Sequence, residues 1–420
     1  MKKMVKDMLM SSRDDPIENI LLINSLFRLG VSYHFEIEIE EQLSHLFLTF
    51  SIDSNDYDLY TIGVVFQVFR SHGYKMSCES LSVSRSCPDH LREYIGNALK
   101  FPYHKGMPRL ESKQYITYYG NEESRNDLLL KFAKYDFNRV QMLHQKELSL
   151  LSSWWQKANL ASRFPHVRQR MVESFFMAVA MVFEPQFAFA RNLMSKWYIG
   201  FALIDDTYDA YGLYQELQAL KRAVERFDEY LENGIWSIGV NTTLAVLMMG
   251  MREADEDAYR WLLNCDATIL RAVSLQSRHY NDMQSNEDEE GRGGQISGIT
   301  CYMKEYGVSK EEAIEGFRER IKAAWKDINE GFMETPKSIP RRILMTAFNI
   351  ARVSEAGYYD SFRPWVTELE WNGSLPFVVG FYMERPYGNI LSVSSALHFR
   401  CCENLNPNHP NLLPITKLKA

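Results

Sequence analysis

No proline occurs between Gln186 and Thr335, a run of 150 residues, although the 420-residue chain contains 14. Proline removes a backbone donor and clashes with the preceding turn, so its long absence favours helices. Eight of the 14 prolines crowd into the last 85 residues, which marks a tail of a different kind. Inside the proline-free run the apolar residues recur at steps of three and four. In Ser309 to Met333 the series Ile314, Phe317, Ile321, Ala324, Trp325, Ile328 and Phe332 forms one face of a helix. Ser309 and Glu312 fit a capping box at its start, Gly307 fits the stop of the helix before it, and Pro336 ends it. Leu128 to Trp155 reads the same way, as does the stripe Leu193, Trp197, Phe201, Ile204, Tyr208, Tyr211. No sustained alternation of period two interrupts them. The expected fold class is therefore all-α, a helical bundle.

The first hundred or so residues also read as helical, with polar breaks at Ser51 to Asp56 and Ser80 to Asp89. The polar stretch Tyr118 to Arg125 suits a boundary. Three parts are expected: an N-terminal helical domain over 1–127, a metal-binding helical domain over 128–355, and a divergent tail over 356–420. Composition excludes several alternatives. Apolar residues at 46% argue against wholesale disorder. A net charge of -7 argues against a protein built to hold nucleic acid or an anionic membrane. The longest apolar stretches, such as Phe175 to Phe183, are too short to span a bilayer. Six cysteines without a CxxC pair do not make a disulfide framework, and MKKMVKDMLM has no signal-peptide core, so a cytoplasmic address is expected.

Chemistry concentrates in three places. Asp205, Asp206 and Asp209 interrupt an otherwise apolar helix, WYIGFALIDDTYDAYG. Asp205 and Asp209 are four apart and share a face, where two carboxylates repel unless a cation sits between them. Oxygen ligands of this kind suit Mg²⁺, which keeps several waters and bridges to phosphates; a solvated acidic face is the plain alternative. Asn281, Ser285 and Glu289 follow at i, i+4, i+8, a second set of hard oxygens on one helical face, beside the acidic run NEDEE. Arginines flank both: Arg168 and Arg170 form an RxR ending 35 residues before Asp205, Arg278 precedes Asn281 by three, and Arg292 follows Glu289 by three. Guanidinium groups bind phosphate in bidentate fashion. Together the three sets describe a pocket for an organic diphosphate held through Mg²⁺.

On these residues the sequence resembles the class I plant terpene synthases. DDTYD matches that family's aspartate-rich motif, NDMQSNEDE its second metal motif (N/D)DxxSxxxE, and VRQRMVESFF its RxR segment. VFEPQFAFAR, FPYHKGMPRLES and RLGVSYHFEIEIEEQL share the family's character, and the resemblance covers most of residues 1–355. It implies an all-α fold of two helical domains. It implies that Asp205, Asp209, Asn281, Ser285 and Glu289, with Asp206 beside them, ligate three Mg²⁺ ions, Mn²⁺ being the alternative. Arg168, Arg170, Arg278 and Arg292 would grip the diphosphate, with Arg168, Arg170, Asp205 and Asp209 as the catalytic set. The implied reaction ionises a prenyl diphosphate, farnesyl diphosphate first, and cyclises or rearranges the cation to a sesquiterpene. Three alternatives stay open: a weakly active or inactive binder of Mg²⁺ and diphosphate, a monoterpene synthase using geranyl diphosphate, and a purely structural helical protein. A monomer is expected, with no nucleic-acid or membrane partner.

The sequence also departs from that family. The tandem-arginine opening is absent, and abrupt joins fall between Ser80 and Cys87 and between Glu229 and Ile235. Only 76 residues separate Asp205 from Asn281, too few for all the helices that should wall the pocket. Met177 stands where a tryptophan for cation stabilisation is expected, and the closing loop after Glu355 is not recognisable. Such a pocket is expected to admit water and quench cations early, as acyclic or hydroxylated products.

Overall fold

Helix starts are fixed by short polar side chains that accept the first free backbone N–H groups. Asp15 accepts from Ile17 and Glu18, both at 3.0 Å, with Pro16 at the first helical position. Asp58 and Asn126 cap in the same way. The capping box expected at Ser309 and Glu312 forms, and Gly307 closes the preceding helix at φ +65°, where a side chain would be strained. A computed structural model describes residues 1–50, 57–76, 103–167, 170–211, 227–263, 267–291 and 297–358, leaving aside the side chains of 59, 208–211, 284–291 and 358.

The described residues are helical and turn, with no strand among them, so the fold is all-α as expected. The first part comprises α1 (Lys2–Ser11), α2 (Pro16–Arg28), α3 (Glu36–Thr49), α4 (Leu59–Ser71) and α5 (Pro108–Asn121). Then come α6 (Asp127–Ala158), α7 (Met171–Met181), α8 (Ala188–Tyr211), α9 (Phe227–Ser237), α10 (Val240–Met248) and α11 (Glu256–Leu263). The last are α12 (Thr268–Gly291), α13 (Gly298–Tyr306), α14 (Lys310–Glu334) and α15 (Arg341–Tyr358). α5 runs through Gly120, so the loop between α5 and α6, Glu122 to Asn126, is narrower than the polar stretch suggests. Of the expected polar breaks, 51–56 and 80–89 lie outside the described residues, as do the join between Ser80 and Cys87 and the whole of 359–420, whereas the join between Glu229 and Ile235 falls within the continuous helix α9.

α12 is the axis of the second part and packs against α14, α15 and α9. α7 and α8 form an antiparallel pair seated on α6 and α15. α10 touches both α8 and α12 and joins the two groups. One continuous apolar core runs from Val5 and Phe35 in the first part through Phe132 and Phe175 to Ile343 and Phe348 in α15. A smaller core of Phe227, Leu231, Ile299, Ala313 and Phe317 sits beneath α13.

The stripe expected to be buried on α8 departs from this pattern. Leu193 and Trp197 pack against the core as expected, beside the buried Ala190, Met194 and Ile199, but Phe201 is 41% exposed and Ile204 56% exposed. Burying an apolar stripe needs an element to cover it. No described helix covers this part of α8. The sequence shows that the face is apolar, not that the chain holds its cover.

Candidate functional site

The site is built outward from the turn between α7 and α8. Arg191, fully buried, donates to the carbonyls of Val182 (3.0 Å) and Glu184 (2.8 Å) and makes a two-pronged ion pair with Glu147 of α6 (2.8 and 2.7 Å). A planar guanidinium that satisfies four acceptors at once fixes the geometry of the turn. α8 has 24 residues against 11 in α7, so the part of α8 that carries Asp205 and Asp206 extends beyond the start of α7, where Arg170 faces Ile199, Ala202 and Leu203.

The described strap residues, Phe164 to Val167 and Arg170, lie beside α8. Phe164, Val167 and Arg170 face Ile199, Ala202 and Leu203 of α8 across a cleft of about 10 Å³, room for little more than one water. His166 Nε2 lies 3.0 Å from Thr207 Oγ1, in the middle of the acidic motif. Thr207 in turn donates to the Leu203 carbonyl at 2.6 Å. Asp205 and Arg170 are exposed, whereas Asp206 is 6% exposed. Of the RxR, Arg168 lies outside the described residues, and the Asp209 side chain does too, although its place on α8 is described.

The second set sits on α12. Asn281 is half-buried one turn beyond Arg278. Ser285 and Glu289 continue the same helix, with side chains outside the described set, and Arg292 lies beyond it. Arg278 is engaged within the protein. It donates to Asp282 and to the hydroxyl of Tyr230, and Tyr230 donates to Asp282 at 2.6 Å. The Asp282 carboxylate raises the Arg278 pKa even though burial opposes the charge. Gly298 closes this cluster: a Cβ there would come 2.3 Å from Asp282 Oδ2, so the site admits no larger residue without movement.

Asp282, Tyr230, Gly298, His166 and Thr207 were not selected from sequence as site residues. Asp282 had a signal, being the second residue of NDMQS. Tyr230 and His166 had none, because their partners lie 52 and 41 residues away.

The described donors, the carboxylates of Asp205 and Asp206 and the amide of Asn281, are hard oxygens of the kind Mg²⁺ takes. Among the described residues no three His, Cys, Asp or Glu side chains converge as a metal cluster; Asp209 and Glu289 fall outside that search. Met177, on α7, is half-buried and packs against the main core. A cavity of about 780 Å³ lies elsewhere, at the seam between the first part and α14–α15, and none of the residues selected from sequence lines it. No described helix is long and apolar enough to cross a membrane.

Residues 1–99 match the terpene synthase N-terminal domain, and residues 156–229 and 225–327 match the metal-binding domain of the terpene synthase family. All the residues selected from sequence fall inside the latter stretches. The chain is 33% identical to probable terpene synthase 6 of Ricinus communis, over 85% of this chain and 88% of that protein. It is 31% identical to hedycaryol synthase of Camellia brevistyla, over 85% and 86%. In structure it resembles isoprene synthase from grey poplar leaves, with TM-score 0.75, 22% identity and 92% and 95% of the chains covered. It also resembles limonene synthase with 2-fluorolinalyl diphosphate, with TM-score 0.76, 19% identity and 92% and 94% covered.

The Ricinus comparison spans 490 positions against a chain of 420, so internal stretches of the relative have no counterpart here. The metal-binding match breaks at 225–229, immediately before the join expected between Glu229 and Ile235. With matched domains over most of its length and a relative at this identity across 85% of it, the chain belongs to the terpene synthase family.

Proposed function

We propose that the protein is a Mg²⁺-dependent lyase that ionises a prenyl diphosphate, farnesyl diphosphate in preference to geranyl diphosphate, and converts the cation to a sesquiterpene. The observation that carries this reading is the strap with Arg170 lying against the helix that bears Asp205 and Asp206. The hedycaryol and valerianol synthases among its relatives favour a sesquiterpene product. Asp205, Asp206, Asp209, Asn281, Ser285 and Glu289 would hold the metal, three Mg²⁺ ions on the family pattern with Mn²⁺ as a substitute. Bound there, divalent cations offset the charge that develops on the leaving diphosphate.

Arg168, Arg170 and Arg292 orient the diphosphate; the electron pair of the breaking C–O bond stays on the leaving diphosphate oxygen, and the guanidinium groups stabilise the added charge as ion pairs. Arg278 acts from behind, through Asp282. The allylic cation that remains closes or rearranges in an apolar pocket, then loses a proton or takes up water. We assign the N-terminal domain to 1–127, the metal-binding domain to 128–355 and a separate tail to 356–420, the Asn126 cap supporting the first boundary.

A second reading, a protein that binds Mg²⁺ and diphosphate with little turnover, is favoured by the exposed Phe201 and Ile204. One assay separates the two. The purified protein is incubated with farnesyl or geranyl diphosphate and Mg²⁺, with EDTA as control, and the volatiles are analysed. A metal-dependent sesquiterpene fraction is expected, rich in acyclic or hydroxylated species. No product from either substrate would overturn the first reading.

A further inference from the structure

The geometry points to His166 as a positioning residue whose ring N–H, donated to Thr207, ties the arginine strap to the aspartate helix. The inference rests on the function proposed above and concerns how its two halves are held in register.

Thr207 has one hydroxyl proton, and the Leu203 carbonyl at 2.6 Å takes it. Toward His166 Nε2, at 3.0 Å, Thr207 Oγ1 can therefore only accept. Nε2 carries the hydrogen, and the direction of the bond is settled by the helix rather than by the ring. The two partners sit at informative places. His166 precedes Arg168 by two residues in the sequence and Arg170 by four, and itself lies in a turn. Thr207 is flanked by Asp206 and Tyr208, two residues from both Asp205 and Asp209.

Phe164 and Val167 face Ile199, Ala202 and Leu203 across the small cleft, and apolar neighbours of that kind fix distance but not register. The Phe164 and His166 rings stand nearly perpendicular, with centroids 6.3 Å apart. A directional bond at this point sets how far the phosphate-gripping arginines stand from the metal-binding carboxylates. A diphosphate bridging the two sets needs that spacing held.

The test uses the full chain and three substitutions. Thr207→Val keeps the shape and removes the acceptor. His166→Phe keeps a ring and removes the donor. Thr207→Ser keeps the hydroxyl. Binding of inorganic pyrophosphate with Mg²⁺ is measured by calorimetry, and kcat and KM with farnesyl diphosphate are measured alongside, with a thermal melt of each variant.

Thr207→Val and His166→Phe should each weaken pyrophosphate binding and lower kcat/KM by about tenfold, equivalent to about 1.4 kcal/mol. The double variant should be no worse than either single one, and Thr207→Ser should behave as the unaltered protein. Wild-type pyrophosphate affinity in both single variants would overturn the inference. So would a lowered melting temperature with affinity intact, or losses that simply add. An unaltered protein that binds no pyrophosphate at all would instead overturn the functional reading, and this inference with it.

Discussion

Two arginines on helices of this protein make superficially similar ion pairs, and burial separates them. Arg260 and Glu256 pair at i, i+4 at 2.6 Å with side chains 73% and 79% exposed. Water screens such a pair, and its loss costs less than about 1 kcal/mol. Arg278 and Asp282 pair at the same spacing with side chains 17% and 0% exposed. Removing the arginine leaves a carboxylate in the interior with the Tyr230 hydroxyl and the Gly298 backbone N–H but no counter-charge from Arg278, and breaking a buried pair in this way costs about 3–5 kcal/mol. Arg278→Met should therefore lower the midpoint of denaturant unfolding sharply, while Arg260→Met should leave it nearly unchanged. The contrast bears on function, because the resemblance assigned Arg278 a direct grip on diphosphate. If the variant proved as stable as the unaltered protein, the buried cluster would not be holding α12, and the direct role would regain its claim.

At the scale of elements, glycine marks where two helices come closest. Gly331 of α14 faces α12, and a Cβ there would stand 2.7 Å from the backbone nitrogen of Ile269. Backbone cannot swing aside as a side chain can, so Gly331→Ala must push the two helices apart. The expected cost is about 1–3 kcal/mol despite the better helix propensity of alanine. A melt that rose instead would show that the contact is slack. Helices such as α14 were legible in the sequence down to the cap, because period and capping are local properties. The acidic motif and NDMQS were legible for the same reason, being spacings within one helix. What escaped depends on distant chain. Tyr230 reaches Asp282 across 52 residues and His166 reaches Thr207 across 41, and no local pattern records either. The exposure of Phe201 and Ile204 escaped too: periodicity identifies the apolar side of α8, but only the assembled fold shows that nothing described lies over it.

At the scale of the whole molecule, the proposed site is divided between helices that meet chiefly through an intermediary. Asp205 and Asp206 ride on α8, Asn281 rides on α12, and α10 packs on both. The continuous core that joins the parts makes unfolding of α8 and α12 a shared event. A ligand that needs both helices binds the folded chain and not the unfolded one, so it stabilises by mass action, about 2.7 kcal/mol at a concentration one hundred times its Kd. Mg²⁺ or pyrophosphate alone satisfies only part of the set and repels or leaves unpaired the rest. The two together should raise the melting temperature by a few degrees, more than the sum of their separate effects, and EDTA should cancel the gain. Asp205→Ala should abolish the joint shift while changing the melting temperature of the ligand-free chain only slightly, since Asp205 is exposed and interactions of an exposed carboxylate are screened by water. Equal shifts with and without Asp205 would mean that the ligands stabilise the protein from somewhere other than the acidic face of α8.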